Sequence, residues 1–226
     1  MAELSLRLQA IEKHIGRGCR VADIGTDHAY LPIHIIESGL CEKVIACDIK
    51  SGPLKTAEKN IQAAGVSGVE LRLCDGLSGI RENEIDTAVI AGMGGEIIRD
   101  IIESAAFIKD EGTKLILQPM TSAEDLREYL SCFGFEILSE EAVEDAGRIY
   151  PVIVTRYSGN KGCYRSFEYY IGHMRGANEA ERKYILKHYR RLKKLWSDLE
   201  NVSVKSDKRT ALGRDLEKIN AVVKEF

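Results

Sequence analysis

Val21-Ala22-Asp23-Ile24-Gly25-Thr26-Asp27-His28-Ala29-Tyr30-Leu31-Pro32 passes from an apolar run through a turn into a helical pattern, with an acid two residues before the glycine. A glycine at such a strand end lets backbone approach a ligand closely, and the helix that follows offers unpaired N–H groups to a carboxylate or a ribose. The stretch reads as a nucleotide-cofactor turn, with a plain structural turn as the alternative. Gly25 stands alone where dinucleotide folds carry G-x-G-x-x-G, which argues against NAD.

On either side of this turn, from Cys19 to about Val154, short β-rich runs alternate with helical stretches, the pattern of a parallel sheet covered on both faces. Seven strands are predicted: Arg20–Ile24, Lys43–Asp48, Val69–Cys74, Thr87–Ala91, Lys114–Gln118, Phe135–Glu141 and Tyr150–Arg156. Helical segments separate the first five. The short acidic stretch Glu144–Arg148, which contains a glycine, joins the last two and suits an antiparallel hairpin at one edge. Five parallel strands plus a terminal hairpin resemble the Rossmann-like, α/β sheet of class I methyltransferases.

Two further acids end strands. Asp48 closes the second, where a carboxylate can accept from both hydroxyls of a ribose, and Asp75 in Leu73-Cys74-Asp75-Gly76-Leu77 follows the third, beside the place an adenine amine would occupy. Each alone reads equally as a solvated loop acid; together they favour a nucleoside ligand. After the fourth strand, Ala91-Gly92-Met93-Gly94-Gly95 lies where enzymes of this fold bring the reacting atom to the methyl group, and its glycines permit close backbone contact, a tight turn being the alternative.

DIGTDHAYLP, the acid-ended second strand, CDGL, AGMGG, LQP and YPVIV, in this order, resemble the bacterial TrmK family, tRNA adenine-22 N1-methyltransferases, over the whole chain. The resemblance implies S-adenosyl-L-methionine as cofactor and tRNA as substrate. Carried over by position, it places Asp23, Gly25 and His28 at the methionine end, with Thr26 in the same turn. It places Asp48 and Ile49 at the ribose, Asp75, Gly76 and Leu77 at the adenine, and Ala91, Gly92 and Met93 beside the methyl group. Asp27 matches an acid of suspected catalytic role: a carboxylate near the N6 amine would stabilise the positive charge that grows on the base. A helix cap is the competing reading of Asp27.

Ser158–Gly162 reads as a linker, so that residues 1–157 would form the catalytic, cofactor-binding domain and residues 158–226 a basic helical hairpin. Leu186, Leu192, Leu195, Trp196, Leu199 and Val202, then Leu212, Leu216, Ile219 and Val223, recur at three- and four-residue steps on either side of a break around Ser203–Asp207, which predicts two antiparallel helices packed like a coiled coil. Residues 158–226 carry 16 Lys and Arg against 9 Asp and Glu, a net of +7, whereas the preceding residues sum to −10. Lys187, Arg190, Arg191 and Lys194, with Tyr184, Tyr189 and Trp196 interleaved, are candidate RNA contacts, and Arg7 is a further one; a solvated face with its aromatics in the seam is the alternative.

With 44% hydrophobic and 30% charged residues the chain is a folded protein, and no apolar run nears the roughly 20 residues of a bilayer span, so a cytoplasmic location without membrane contact is expected. Six scattered cysteines lack metal-ligand spacing, and no metal is expected. His28 and His34 are too isolated from other ligand types to suggest one. The sequence does not set the oligomeric state; a monomer is favoured. A small-molecule methyltransferase and an interaction protein with a vestigial nucleotide fold remain as alternatives, and cofactor binding and RNA-dependent methyl transfer separate them.

Overall fold

The computed structural model describes residues 4–109, 112–199 and 206–226. The strands are β1 (Val21–Ile24), β2 (Val44–Asp48), β3 (Val69–Leu73), β4 (Thr87–Gly94), β5 (Lys114–Thr121), β6 (Phe135–Asp145) and β7 (Arg148–Tyr157), in the sheet order β3-β2-β1-β4-β5-β7-β6. The first five run parallel, and β7 lies antiparallel between β5 and β6. Strands rich in Val, Ile and Ala are buried on both faces, so their residues alternate between two cores. Ala22 and Ile24 meet Ile98, Ile102 and Leu126 of α4 (Gly95–Ser104) and α5 (Ala123–Cys132). Val21 and Val44 meet Ile11 of α1 (Leu6–Glu12) and Ile35 of α2 (Tyr30–Glu37). The helix α3 (Ser51–Ala64) completes the second layer through Ala57.

All seven predicted strands are present, with different ends. β4 continues to Gly94 and β5 to Thr121, their pairing slipping between Ala91 and Met93 and again between Met93 and Gly94. The hairpin turn is only Ala146-Gly147, both at positive φ (48° and 74°), which is the two-residue geometry that matches strand twist. Glu144, Asp145 and Arg148, expected in the loop, stand in the ladder instead.

The C-terminal part holds the short α6 (Glu168–Ile171), then α7 (Glu179–Asp198) and α8 (Ser206–Val223). Asn178 caps α7 by accepting from Glu181 N at 2.9 Å. The two long helices are antiparallel: Trp196 near the end of α7 stacks with Arg209 at the start of α8, while Arg182 near its start lies over Phe226. The predicted seam needs correction, because Ile185 and Tyr184 are buried in it and Leu195 is 42% exposed. Leu192, Leu199, Leu212, Leu216 and Ile219 are in the core as expected. Val202 and most of the Ser203–Asp207 break lie outside the described residues.

This helical pair is seated on the sheet's edge. Ala142 of β6 belongs to its apolar core, and a fully buried ion pair joins Arg127 of α5 to Glu140 of β6 at 2.6 Å. Arg127 also donates to Tyr169 O at 2.9 Å and to the Tyr184 hydroxyl at 3.2 Å. Glu140 accepts from the Tyr164 hydroxyl and from His173 N. Burial of two charges is tolerated when further hydrogen bonds surround them, and here Tyr164, Tyr169, His173 and Tyr184, all beyond residue 158, supply these to a pair that belongs to the sheet domain.

Candidate active site

The turn after β1 is held by its neighbours. Gly25 N and Thr26 N both donate to Cys47 O at 2.8 Å, and Asn60 Nδ2 donates to His28 O at 2.9 Å. Gly25 has φ +81°, a conformation that favours glycine, and the Met93 methyl occupies the space beside its Cα. The N-cap of helix α2 is Ala29, which has φ 55° and gives no side-chain cap. Asp27 is therefore not the cap of that helix. Its side chain is 71% exposed and its Oδ2 stands 3.1 Å from His28 Nε2. The His28 ring in turn stacks on Tyr30, with centroids 5.2 Å apart.

A cleft of about 500 Å³ opens between this turn, α1 and the end of β4. It brings together Asp23, Gly25, Thr26, Asp27, His28, Ala91, Gly92 and Arg7 from the sequence-based set, and adds Leu4, Ser5, Leu8 and Tyr30, which sequence reasoning missed. The position is the switch point between β1 and β4, where strand order reverses and open α/β sheets bind ligands. Burial lifts the Asp23 carboxyl to about 6; the neighbouring Asp48 adds to this and the Thr26 hydroxyl opposes it. The acid is thus half-protonated in mildly acidic solution and ready to ionise against a cation.

Asp48, Ile49, Asp75, Gly76, Leu77 and Met93 do not line that cleft. Asp48 accepts from Lys50 N at 2.8 Å through Oδ1, which leaves Oδ2 without a partner among the described residues. Ile49 is 59% exposed and Leu73, which pairs with Asp48 across β2 and β3, is 63% exposed. Asp75 is exposed in the loop after β3. Leu77 is 1% exposed and its side chain packs in the central core, the Gly76 turn (φ +53°) folding back against Ile101. Cys47 is a buried core residue and His34 pairs with Glu12 at 3.2 Å, both in line with structural roles.

On the C-terminal helices, Lys187, Arg190 and Lys194 are exposed and make no ion pair within the described residues. Arg191 instead binds Glu124 of α5 at 2.7 Å. The interleaved aromatics are not a stacking platform: Tyr184 is buried against Arg127, and Tyr189 and Trp196 pack against the helical core. Arg7 lies over the Tyr150 ring at 5.7 Å and donates to Gln118 Oε1 at 3.1 Å. Among the described residues, no helix is long and apolar enough to cross a membrane.

An open sheet with a single-glycine turn after β1, acids at the ends of successive strands and a cleft at the switch point defines an S-adenosylmethionine-dependent methyltransferase. Residues 4–153 match the methyltransferase domain family. The chain is 33% identical to the tRNA (adenine(22)-N(1))-methyltransferase of Bacillus subtilis (strain 168) over 212 residues, which span 91% of this chain and 88% of that one. The solved B. subtilis m1A22 tRNA methyltransferase TrmK superposes with a TM-score of 0.85 at 28% identity, covering 99% of this chain and 100% of that one. M. capricolum TrmK in complex with the cofactor product S-adenosyl-homocysteine superposes with a TM-score of 0.80 at 26% identity over 97% and 99%. The chain belongs to the tRNA (adenine(22)-N(1))-methyltransferase family. This assignment sets aside the interaction-protein and small-molecule readings.

Proposed function

We propose that this chain methylates N1 of adenine 22 in tRNA, with the β1–β4 cleft holding the methionine end of S-adenosylmethionine and the target base together. When bound, the cofactor supplies a sulfonium methyl group: the N1 lone pair forms the new C–N bond as the C–S electrons return to sulfur. The protein's task is alignment, which accounts for much of the acceleration in such displacements. Asp23 faces the cofactor's ammonium group, with Gly25, Thr26 and His28 against the methionine chain. Asp48, through its unpartnered Oδ2, and Ile49 would hold the ribose, and Asp75 with the Gly76 and Leu77 backbone would border the adenine. Ala91, Gly92 and Met93 shape the methyl-transfer end. Asp27, exposed in the cleft with its Oδ2 3.1 Å from His28 Nε2, orients the target base through its amine and offsets its developing charge.

Residues 1–157 would then provide the chemistry and residues 158–226 the tRNA grip, through Lys187, Arg190 and Lys194, with Arg191 holding the helices in place and Arg7 reaching the RNA at the cleft. The observation that carries this reading is the buried Asp23 and the exposed Asp27 on the wall of one open cleft at the β1–β4 switch point. The purified protein, S-adenosylmethionine and a tRNA transcript should yield 1-methyladenosine by nucleoside mass spectrometry, and a transcript with guanine at position 22 should not. Equal methylation of both transcripts would sink the assignment of the target.

A further inference from the structure

The bulge that ends β4 leaves one backbone donor without a strand partner. Pairing runs Ala91 to Gln118 and then Met93 to Pro119, so Gly92, at φ +77°, is the residue skipped. Its N–H must find another acceptor, and Gln118 Oε1 takes it at 3.2 Å. The same oxygen accepts from Arg7 Nη1 at 3.1 Å. Gln118 is fully buried, and its Nε2 donates to Pro119 O at 3.1 Å, which fixes which end of the amide faces Gly92 and Arg7. One side-chain oxygen thus ties the glycine turn at the methyl-transfer end to α1, on the two walls of the cleft.

We propose that Gln118 is a positioning residue for methyl transfer, holding the Gly92 backbone and the Arg7 guanidinium in fixed relation at the substrate side of the cleft. This rests on the methyltransferase reading above and adds a residue to it. Gln118 does not line the cleft, so it acts through Gly92 and Arg7, which do. Its loss frees a backbone segment and a guanidinium next to the reacting atoms. The cofactor-binding ends of β2 and β3 lie elsewhere and keep their geometry. A misplacement of about 1 Å at such a site can cost on the order of a hundredfold in rate.

The test compares Gln118→Leu and Gln118→Glu by steady-state kinetics on a tRNA transcript, with S-adenosylmethionine affinity measured by calorimetry. Q118L should lose at least about tenfold in kcat while cofactor Kd stays within about twofold. Q118E keeps an acceptor for both donors and should stay within about threefold of wild-type kcat. A Q118L enzyme with wild-type kcat, a loss confined to cofactor affinity, or a Q118E enzyme as slow as Q118L would each overturn the proposal. Should Q118L fail to fold, Gln118→Met decides, since it fills a similar volume but offers the Gly92 N–H and Arg7 no oxygen: with Q118E active, a reduced kcat at unchanged cofactor Kd supports the tie and a wild-type kcat overturns it. Wild-type enzyme that methylates no tRNA would instead refute the methyltransferase reading itself.

Discussion

Asp23 is buried at 9% exposure in β1, and its carboxyl is pushed up to about 6. A carboxyl whose folded value exceeds its unfolded one contributes stability that is present below about pH 4 and lost as pH rises through about 6, so at neutral pH the free protein is destabilised by up to about 3 kcal/mol. Asp23→Asn should raise the melting temperature of the cofactor-free protein at pH 7.5, flatten its pH dependence between 4 and 6, and weaken S-adenosylmethionine binding; a lower melting temperature at pH 7.5 would show that Asp23 is structural. Asp48→Ala should weaken cofactor binding, since hydrogen bonds to a charged acceptor are worth about 1.5 to 3 kcal/mol each, and calorimetry that finds the affinity unchanged would remove Asp48 from the site. Asp27→Asn is nearly isosteric and removes only charge, so single-turnover rates should fall far more than cofactor affinity. That Asp23 and Asp27 lie at the cleft was legible in the sequence, because they flank the end of an apolar run that a glycine turn closes. The burial of Leu77 was not, since nothing in Asp75-Gly76-Leu77 tells which way the chain turns, and that direction is set by Ile101 from a distant helix. Gln118 left a faint trace, a lone amide closing the apolar run Leu115-Ile116-Leu117, but its partners come from a bulge that only the pairing of β4 with β5 creates.

At the scale of elements, strand count and order of appearance could be read from alternation of β-rich and helical segments, whereas strand ends could not. Glycines in AGMGG signal a turn locally, yet β5 pairs with them and extends β4 to Gly94. The attachment of the C-terminal helices was also hidden. Arg127 sits in a helix, AEDLREYLSC, that reads as having a charged outer face, and only the fold brings Glu140 and Tyr184 over it. Arg127→Met should destabilise the protein by about 3 to 5 kcal/mol in urea unfolding, because it strands the buried Glu140 carboxylate, and replacing Glu140 by Met as well should recover much of that loss. A single-variant loss under about 1 kcal/mol would mean that the pair does not lock the helices to the sheet. The same geometry bears on His188, which burial, with Arg191 and Arg127 adding, holds down to about 3 and hence neutral beneath the basic face.

Over the whole molecule, a net charge of −3 conceals a basic C-terminal third of +7 against an acidic remainder of −10. Such a separation steers a polyanion to one side of the enzyme and disfavours it on the other. Ion pairs narrow the set of cations available for RNA: Arg191 is engaged by Glu124, Lys183 by Glu144 and the buried Arg127 by Glu140, whereas Lys187, Arg190 and Lys194 form no ion pair among the described residues and lie on the exposed face of α7. Replacing these three by Ser removes charge but leaves the buried seam of Tyr184, Ile185 and Leu192 untouched. Removing one phosphate-binding cation should reduce the slope of log binding constant against log salt by about 0.7 to 0.9, so the triple variant should bind tRNA with a slope shallower by about 2 to 3. Cofactor affinity should not change, because none of the three reaches the cleft. Adding Arg191→Ser should act differently, lowering thermal stability by breaking the Glu124 ion pair more than it flattens the slope further. Filter-binding titrations from low to moderate salt decide the matter: an unaltered slope in the triple variant would mean that the basic face is solvated scaffold and that the tRNA is gripped by the sheet domain alone.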